Sequence, residues 1–303
     1  MRSDFGIRRL CGASTKAGML AAFLLLAGCG SVPVVQPARV GEFGQALDKT
    51  RVQTDTAFVA INAFITEDEI DRAVTQPTLT EENVPVILKP EDIAKWDRAF
   101  SALDSYVANL TLLLSPDRAK GFATATEQLA TEFAKLDSNA LPSAGVAAGF
   151  AELGRLLIEL KAQTDALAAA RKADPGVQLI FSQMAAAIGE SDRKGIRGTV
   201  REHWNTRMAF ESRDFLVAKG NAAARKQIVL GYIELRDKRD AQDLQLGSLR
   251  QSLLDLAAAH SALARGSDVD LASAINMIQQ ELDATRALSD FFSSLKQNAK
   301  AKK

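Results

Sequence analysis

The dominant feature of the chain is a long run of mostly apolar residues spaced alternately four and three apart. The run keeps this spacing without a slip over 36 residues, 228–263. Its members are Ile228, Tyr232, Leu235, Arg239, Gln242, Leu246, Leu249, Leu253, Leu256, His260 and Leu263. This period places them on one face of a helix with the spacing of coiled coils. The polar stretch within it has no Gly or Pro, so we expect one helix, roughly 60 Å long.

The same spacing recurs in shorter segments on both sides of this run. Their faces begin at Phe43, Ile93, Ala119, Val146, Val177, Val200 and Leu271. No segment alternates with period two for long enough to need a sheet, and the one strand-like stretch, 84–88, contains a proline. The pattern predicts an all-α fold: a multi-helix antiparallel bundle of about eight helices, some long and coiled-coil-like.

Proline and glycine positions suggest where several helices begin and end. The segment after Pro142–Ser143 is predicted to be one helix that continues to Leu167. Asp174–Pro175 is predicted to cap a separate, shorter helix, since proline fits a first helical turn. Gly195 and Gly198 are assigned to the loop that follows it.

The first thirty residues have the organisation of an export signal. A basic segment precedes twelve uncharged residues, Ala17–Gly28, which is short for a span of about 20 residues and typical of a signal peptide. The signal ends in Leu26-Ala27-Gly28-Cys29, which resembles the lipobox of bacterial lipoproteins. An ordinary signal peptide with a chance cysteine is the alternative interpretation.

The lipobox resemblance implies where the protein is held. In that class the signal is cut before the cysteine, and the thiol and new amino terminus are acylated with chains such as palmitate. Cys29 is then the lipidation site, and the acyl chains hold the protein on a membrane. Gly30 stands where the class often uses Asp for inner-membrane retention, which favours the outer membrane, facing the periplasm, if the source has two membranes.

These observations predict four regions. Residues 1–28 are the lipoprotein signal peptide, 29–40 an acylated tether, 41–297 the helical bundle and 298–303 a disordered basic tail. The tether reaches at most ~40 Å when extended. The chain has two cysteines, one in the signal and one at the acylation site, so the mature domain has neither a disulfide nor a thiol nucleophile.

No motif for catalysis, a cofactor or a metal is found. The 37 basic and 37 acidic residues balance, which gives no general reason to bind nucleic acid. Zinc-protease, di-iron, c-type haem, phosphate-loop and nucleophile-elbow patterns are all missing. The two histidines are His203 and His260. His260 belongs to the run 228–263, which we call the seam, and is interpreted as a bundle histidine whose polar atoms are satisfied by partners within the protein.

Two short loops are candidates for contact with a partner. One is a proline-bounded apolar loop and the other is a basic loop that follows a helix. Their residues are Val86, Ile87, Leu88, Arg193, Lys194 and Arg197. The alternative for the apolar loop is that it lies against the bundle as a lid. The alternative for the basic loop is that it is simply exposed to solvent. Arg239 and Gln242 are costly in a buried seam without partners, so they mark where the seam opens, pairs across helices or meets another protein.

The resulting functional hypothesis is a membrane-anchored, non-enzymatic interaction or scaffold module of the bacterial envelope that binds an envelope protein. The first alternative is a bundle that binds a lipid or small molecule between its helices. The second alternative is an enzyme with an unrecognised site. The coiled-coil spacing also permits a homo-oligomer.

Overall fold

In the computed structural model of this chain, the described residues form eight α-helices that pack as an antiparallel bundle. The structure describes residues 37–74, 76–84, 86–114, 119–159 and 166–300, with the side chains up to residue 287 except those of residues 71, 82, 119 and 120. The helices are α1 (Pro37–Ala73), α2 (Pro90–Leu113), α3 (Ala119–Ala134), α4 (Ala144–Glu159), α5 (Ala166–Ile188), α6 (Gly195–Val217), α7 (Ala222–Arg265) and α8 (Asp268–Lys300). A 3₁₀ turn, Glu81–Asn83, precedes α2. These residues include no strand, which confirms the all-α prediction.

The seam helix is continuous, as predicted. Helix α7 has 44 residues, about 66 Å at 1.5 Å per residue. The Asn221 side chain caps its start by accepting a hydrogen bond from the Ala224 amide at 3.0 Å. Gly266 ends it with a φ of 71°, the left-handed conformation that glycine adopts freely. These two caps confine the helix and turn the chain into α8.

Large aromatic side chains fill the core. The buried set includes Phe43, Phe58, Phe100, Tyr106, Phe133, Phe150, Phe181 and Trp204. Helix α7 packs on α1, α5, α6 and α8, while α5 also packs on α4. Close approach of α4 and α5 depends on glycine, because a Cβ atom at Gly176 would lie 2.8 Å from the Leu153 Cα.

The predicted start at Asp174–Pro175 was wrong. Pro175 lies inside α5, which begins at Ala166, and α4 ends at Glu159, so Leu167 belongs to α5. Residues 160–165 lie outside the described residues. Burial explains the error: Leu167 and its neighbours in the first turns of α5 lie in the core. This packing keeps them helical despite a cost of about 3 kcal/mol for an interior proline.

Both ends of the bundle also differ from the expected boundaries. Helix α1 begins at Pro37 and buries Val40, so it includes the last four residues of the expected tether. Helix α8 continues to Lys300, into the expected tail. Gly195 and Gly198 belong to α6 rather than to the preceding loop. Residues 1–36, with the signal and Cys29, lie outside the described residues.

Candidate functional site

Helices α6 and α7 form an antiparallel pair whose distal part projects from the bundle. The buried residues of α6 are Val200, Trp204 and Met208, and the first buried residue of α7 is Leu235. The 26 residues between Met208 and Leu235, which we call the hairpin end, include no buried side chain. The part of α7 in this hairpin end is about 20 Å long.

The hairpin end exposes several large apolar side chains. Leu216 and Val217, in the last turn of α6, are 73% and 80% exposed. On α7 the exposed apolar residues are Val229, Leu230, Tyr232 and Ile233. Single exposed apolar residues are common on protein surfaces, but a set gathered on one projecting element indicates a contact surface.

Basic residues surround these apolar side chains. The hairpin end contains four basic residues, Arg213, Lys219, Arg225 and Lys226, and three acidic residues, Glu211, Asp214 and Glu234. Its tip, residues 217–226, contains Lys219, Arg225 and Lys226 and no acidic residue. The Arg225 guanidinium stacks on the Phe215 ring at 3.8 Å from its centroid, a cation–π contact that orients the charge. The tip is therefore both apolar and positively charged.

Polar contacts hold the base of the hairpin together. The Trp204 indole donates a hydrogen bond to the Gln242 Oε1 atom at 2.6 Å. Arg197 pairs with both carboxylate oxygens of Asp243 at 2.9 Å. Arg239 donates to Asn205 at 3.1 Å. The polar seam residues Arg239 and Gln242 thus pair across helices, at the point where the seam leaves the core.

A second group of polar residues lies where α1 ends against α6. We call Asp68, Glu69, His203 and Arg207 the base cluster. Arg207 Nε donates to Asp68 Oδ2 at 2.5 Å, and His203 Nε2 lies 3.7 Å from Glu69 Oε1. Burial lowers the pKa of His203, although the charges of Glu69 and Asp68 raise it in part. The His203 imidazole is therefore neutral at neutral pH.

His260 is a satisfied bundle histidine, as predicted. Its Nδ1 atom lies 2.8 Å from Asp174 Oδ1, and its Nε2 atom lies 2.8 Å from the Tyr106 hydroxyl. Because a carboxylate only accepts, the Nδ1–H group of His260 donates to Asp174, and Nε2 shares its hydrogen bond with the Tyr106 hydroxyl. The His260 and Tyr106 rings are both buried.

Charge and burial set the pKa values in this network. Burial would raise the pKa of Asp174, but hydrogen bonding and charge from His260, with hydrogen bonds from Ser261 and Gln178, lower it below its usual value. Burial raises the pKa of Tyr106 well above its usual value. The carboxylate and the neutral phenol are therefore the forms that the folded protein favours.

The six sequence-predicted contact residues have different surroundings, although Ile87, Leu88 and Ile196, the neighbour of Arg197, line the same cleft. In the apolar loop, Leu88 is buried and Ile87 packs against the core, while Val86 is exposed. The Asn62 amide accepts from the Leu88 N–H at 3.0 Å and donates to its carbonyl at 2.6 Å. Much of this loop therefore lies against the bundle, as in the lid alternative.

The basic loop is largely paired within the protein. Arg197 is engaged by Asp243, and Lys194 lies 3.2 Å from Glu190. Arg193 lines a surface cleft of about 440 Å³ together with Asp192 and Arg201, which pair with each other at 3.1 Å. Little unbalanced positive charge remains there for a partner.

Sequence reasoning missed the hairpin end. The seam pattern counted Ile228 and Tyr232 as members of a buried face, whereas Tyr232 is exposed. A signal was present in Phe215-Leu216-Val217, directly before the polar turn Lys219-Gly220-Asn221. Three consecutive apolar residues exceed what one face of an amphipathic helix buries.

A cleft with both polar and apolar lining residues lies beside the apolar loop at 86–88. It has a volume of about 430 Å³, and its lining includes Phe58, Leu88, Ile93, Trp96 and Ile196. Asp92 and Lys95 stand at its edge and pair with each other at 2.8 Å. Its size falls within the range of small-molecule sites.

Comparisons with known proteins add no relative. No protein-family model matches the sequence, and neither does any curated protein or any solved structure. Among the helices that the structure describes, none combines the length and apolarity needed to traverse a lipid bilayer.

Proposed function

We propose that this protein is a lipid-anchored, non-enzymatic interaction module of the bacterial cell envelope, and that the hairpin end binds an envelope protein. The observation that carries the proposal is the set of exposed apolar side chains on a projecting element whose tip, residues 217–226, is positively charged. Apolar side chains with a charged rim are typical of protein interfaces.

The shape and charge of the hairpin end define the partner that it fits. A convex helical tip fits a groove, in the manner of helices that insert apolar side chains into a partner's cleft. The excess of Arg and Lys at the tip favours a groove with an acidic rim, because complementary charge increases association rate and specificity. We therefore expect an apolar groove bordered by carboxylates.

The described start of α1 lies near the other end of α7. Arg39, near the start of α1, pairs with Asp268, at the start of α8, at 3.1 Å. Pro37 follows Cys29 by eight residues in the sequence. Acylation of Cys29 would thus attach the tether to the end of the bundle away from the hairpin end. We propose the outer membrane, facing the periplasm, as the location, with the inner membrane as the alternative.

Site-specific photo-crosslinking in intact cells tests the partner proposal. A photoreactive residue at position 216 reports on the hairpin end. The same residue at Val269, which is 80% exposed at the start of α8, is the matched control. We expect one defined envelope protein to be linked from 216 and not from 269.

Three outcomes would contradict this proposal. Identical adducts from both positions would show only crowding at the surface. A product formed only with a second copy of the chain would instead assign the hairpin end to self-association. Linkage to lipid alone would assign it to a membrane surface.

The cleft lined by Phe58, Ile93 and Trp96 supports a second candidate function, the binding of a lipid or small molecule that has both apolar and polar groups. Native mass spectrometry of the purified protein should then show a co-purifying ligand. Replacing Ile93, at the cleft wall, with Trp should fill the space and abolish that mass. A protein that carries no bound mass from its native membrane would count against this candidate.

A further inference from the structure

The base cluster contains three side chains that can each offer one metal-ligand atom. Ligand atoms of Asp68, Glu69 and His203 all lie within 4.8 Å of one another. The two acidic residues occupy the last turns of α1, and the histidine lies in α6. The cluster therefore joins residues that are 134 positions apart, through the packing of two helices.

An unpartnered nitrogen atom points to a ligand in this cluster. The His203 side chain is only 10% exposed, and its Nε2 atom is buried with no hydrogen-bond partner among the described residues. The 3.7 Å distance to Glu69 Oε1 is too long for a hydrogen bond. Leaving a buried polar atom unpaired is unfavourable, and a cation between the imidazole and the carboxylates would remove that cost.

We propose that Asp68, Glu69 and His203 form a binding site for one divalent transition-metal ion of the zinc class. One imidazole nitrogen with carboxylate oxygens suits Zn²⁺, Co²⁺ or Ni²⁺, whereas Mg²⁺ and Ca²⁺ prefer oxygen ligands alone. Three protein ligands leave a further coordination position for water, as in many zinc sites.

Two arginines lie beside the carboxylates. Arg207 engages Asp68 Oδ2, and its Nε atom lies 3.8 Å from Glu69 Oε1, while Arg72 lies 3.3 Å from Glu69 Oε2. Such groups orient metal ligands from behind. Their positive charge also opposes a cation, so we expect micromolar rather than nanomolar affinity. A neutral His203 is the form that binds metal.

Calorimetric titration of the full chain with Zn²⁺ tests the proposal. The titration uses a background in which Cys11 and Cys29 are replaced by Ser, since free thiols bind zinc. We expect one ion per chain in the parent and binding weaker by about tenfold or more in His203→Gln. Asp97→Asn is the matched control, because Asp97 also pairs with an arginine, Arg51, without a histidine ligand. It should bind like the parent.

Thermal unfolding provides the second measurement and guards against a folding defect. Zn²⁺ should raise the unfolding temperature of the parent and of Asp97→Asn, because a ligand of the native state stabilises it. It should leave His203→Gln and Glu69→Gln unchanged. Absence of saturable uptake by the parent, or equal uptake by His203→Gln, would overturn the proposal. Crosslinking from position 216 is independent of either result.

Discussion

At the scale of single residues, the two histidines show how partners decide a side chain's role. His260 and His203 both lie on helices whose faces pack in the bundle. His260 has a partner on each nitrogen, whereas His203 Nε2 has none among the described residues. The seam position of His260 was enough to predict that it is a satisfied bundle residue. The surroundings of His203 depend on α1, and no local pattern in the sequence around it shows that contact.

Asp255 is expected to destabilise the fold at neutral pH. It is 5% exposed on α7, and burial raises its pKa, although a hydrogen bond from Gln251 lowers it in part. Because the pKa of Asp255 is raised in the folded state, the stability that its protonated side chain contributes is fully present below the unfolded pKa of about 3.9. This stability is lost as pH rises through the folded pKa. Asp255→Asn should therefore increase the free energy of unfolding at neutral pH.

Urea unfolding at neutral and acidic pH measures this effect. The gain should vanish below the unfolded pKa, where the aspartate is also neutral. Asp240→Asn, on the same helix with a side chain that is 54% exposed, should show no comparable gain. A less stable Asp255→Asn protein at neutral pH would show that the carboxylate is better compensated than its contacts indicate.

The contribution of Asp174 to stability depends on pH in the opposite direction. Its lowered pKa means that its contribution is present above the unfolded pKa of about 3.9 and is lost as pH falls through the folded pKa. Asp174→Asn should lower stability at neutral pH by about 1–3 kcal/mol, because a partly buried, hydrogen-bonded charge is removed. The stability difference from the parent should shrink on acidification. A pH-independent difference between the two unfolding curves would refute the assigned sign.

At the scale of helices, contact between α4 and α5 sets a limit that helix propensity does not. Alanine is favoured over glycine by about 1 kcal/mol in a helix interior. At Gly176, however, the added Cβ would meet the Leu153 Cα, Cβ and N atoms at 2.8–3.0 Å. Backbone atoms cannot give way without separating the helices. The steric term should therefore exceed the propensity term at this position.

Gly176→Ala should destabilise the protein by about 1–3 kcal/mol, the range typical of overpacking. Gly121→Ala is the matched control, since nothing lies within 4 Å of its added Cβ on α3. We expect the control to be neutral or more stable. Chemical denaturation of both variants would disprove the argument if Gly176→Ala were as stable as the parent.

At the scale of the whole molecule, the fold was more predictable than the candidate site. Apolar period alone identifies helices such as α7, because burial on one face selects residues every three or four positions. The apolar period does not show whether another helix covers a face at a given position. Tyr232 and Leu235 therefore fit the same pattern, although Tyr232 is exposed and Leu235 is buried. The base cluster likewise depends on long-range packing. The predicted helix start at Pro175 was wrong because a helix packed in the core tolerates a proline in its interior, whereas local sequence rules place proline in a first turn.

The lipid anchor is a property of the whole chain and has its own test. Cys29→Ala should move the protein from the membrane fraction to the soluble fraction of lysed cells, because the variant lacks the acylated thiol. The hairpin variant Val217→Ser should remain in the membrane fraction. Retention of Cys29→Ala on membranes after a salt wash would argue against the lipobox assignment.

The continuity of α7 has a mechanical consequence. One unbroken helix forms half of the hairpin end, then carries Leu246, Leu249, Leu253 and His260 through the core. Sharp bends of a helix occur at proline, at Gly/Ser pairs or at bulges, and the part of α7 from Ala222 to Leu246 contains no proline and no Gly/Ser pair. A force applied to the tip of the hairpin end is therefore transmitted along α7 to the core, where the packed side chains of the helix resist it together.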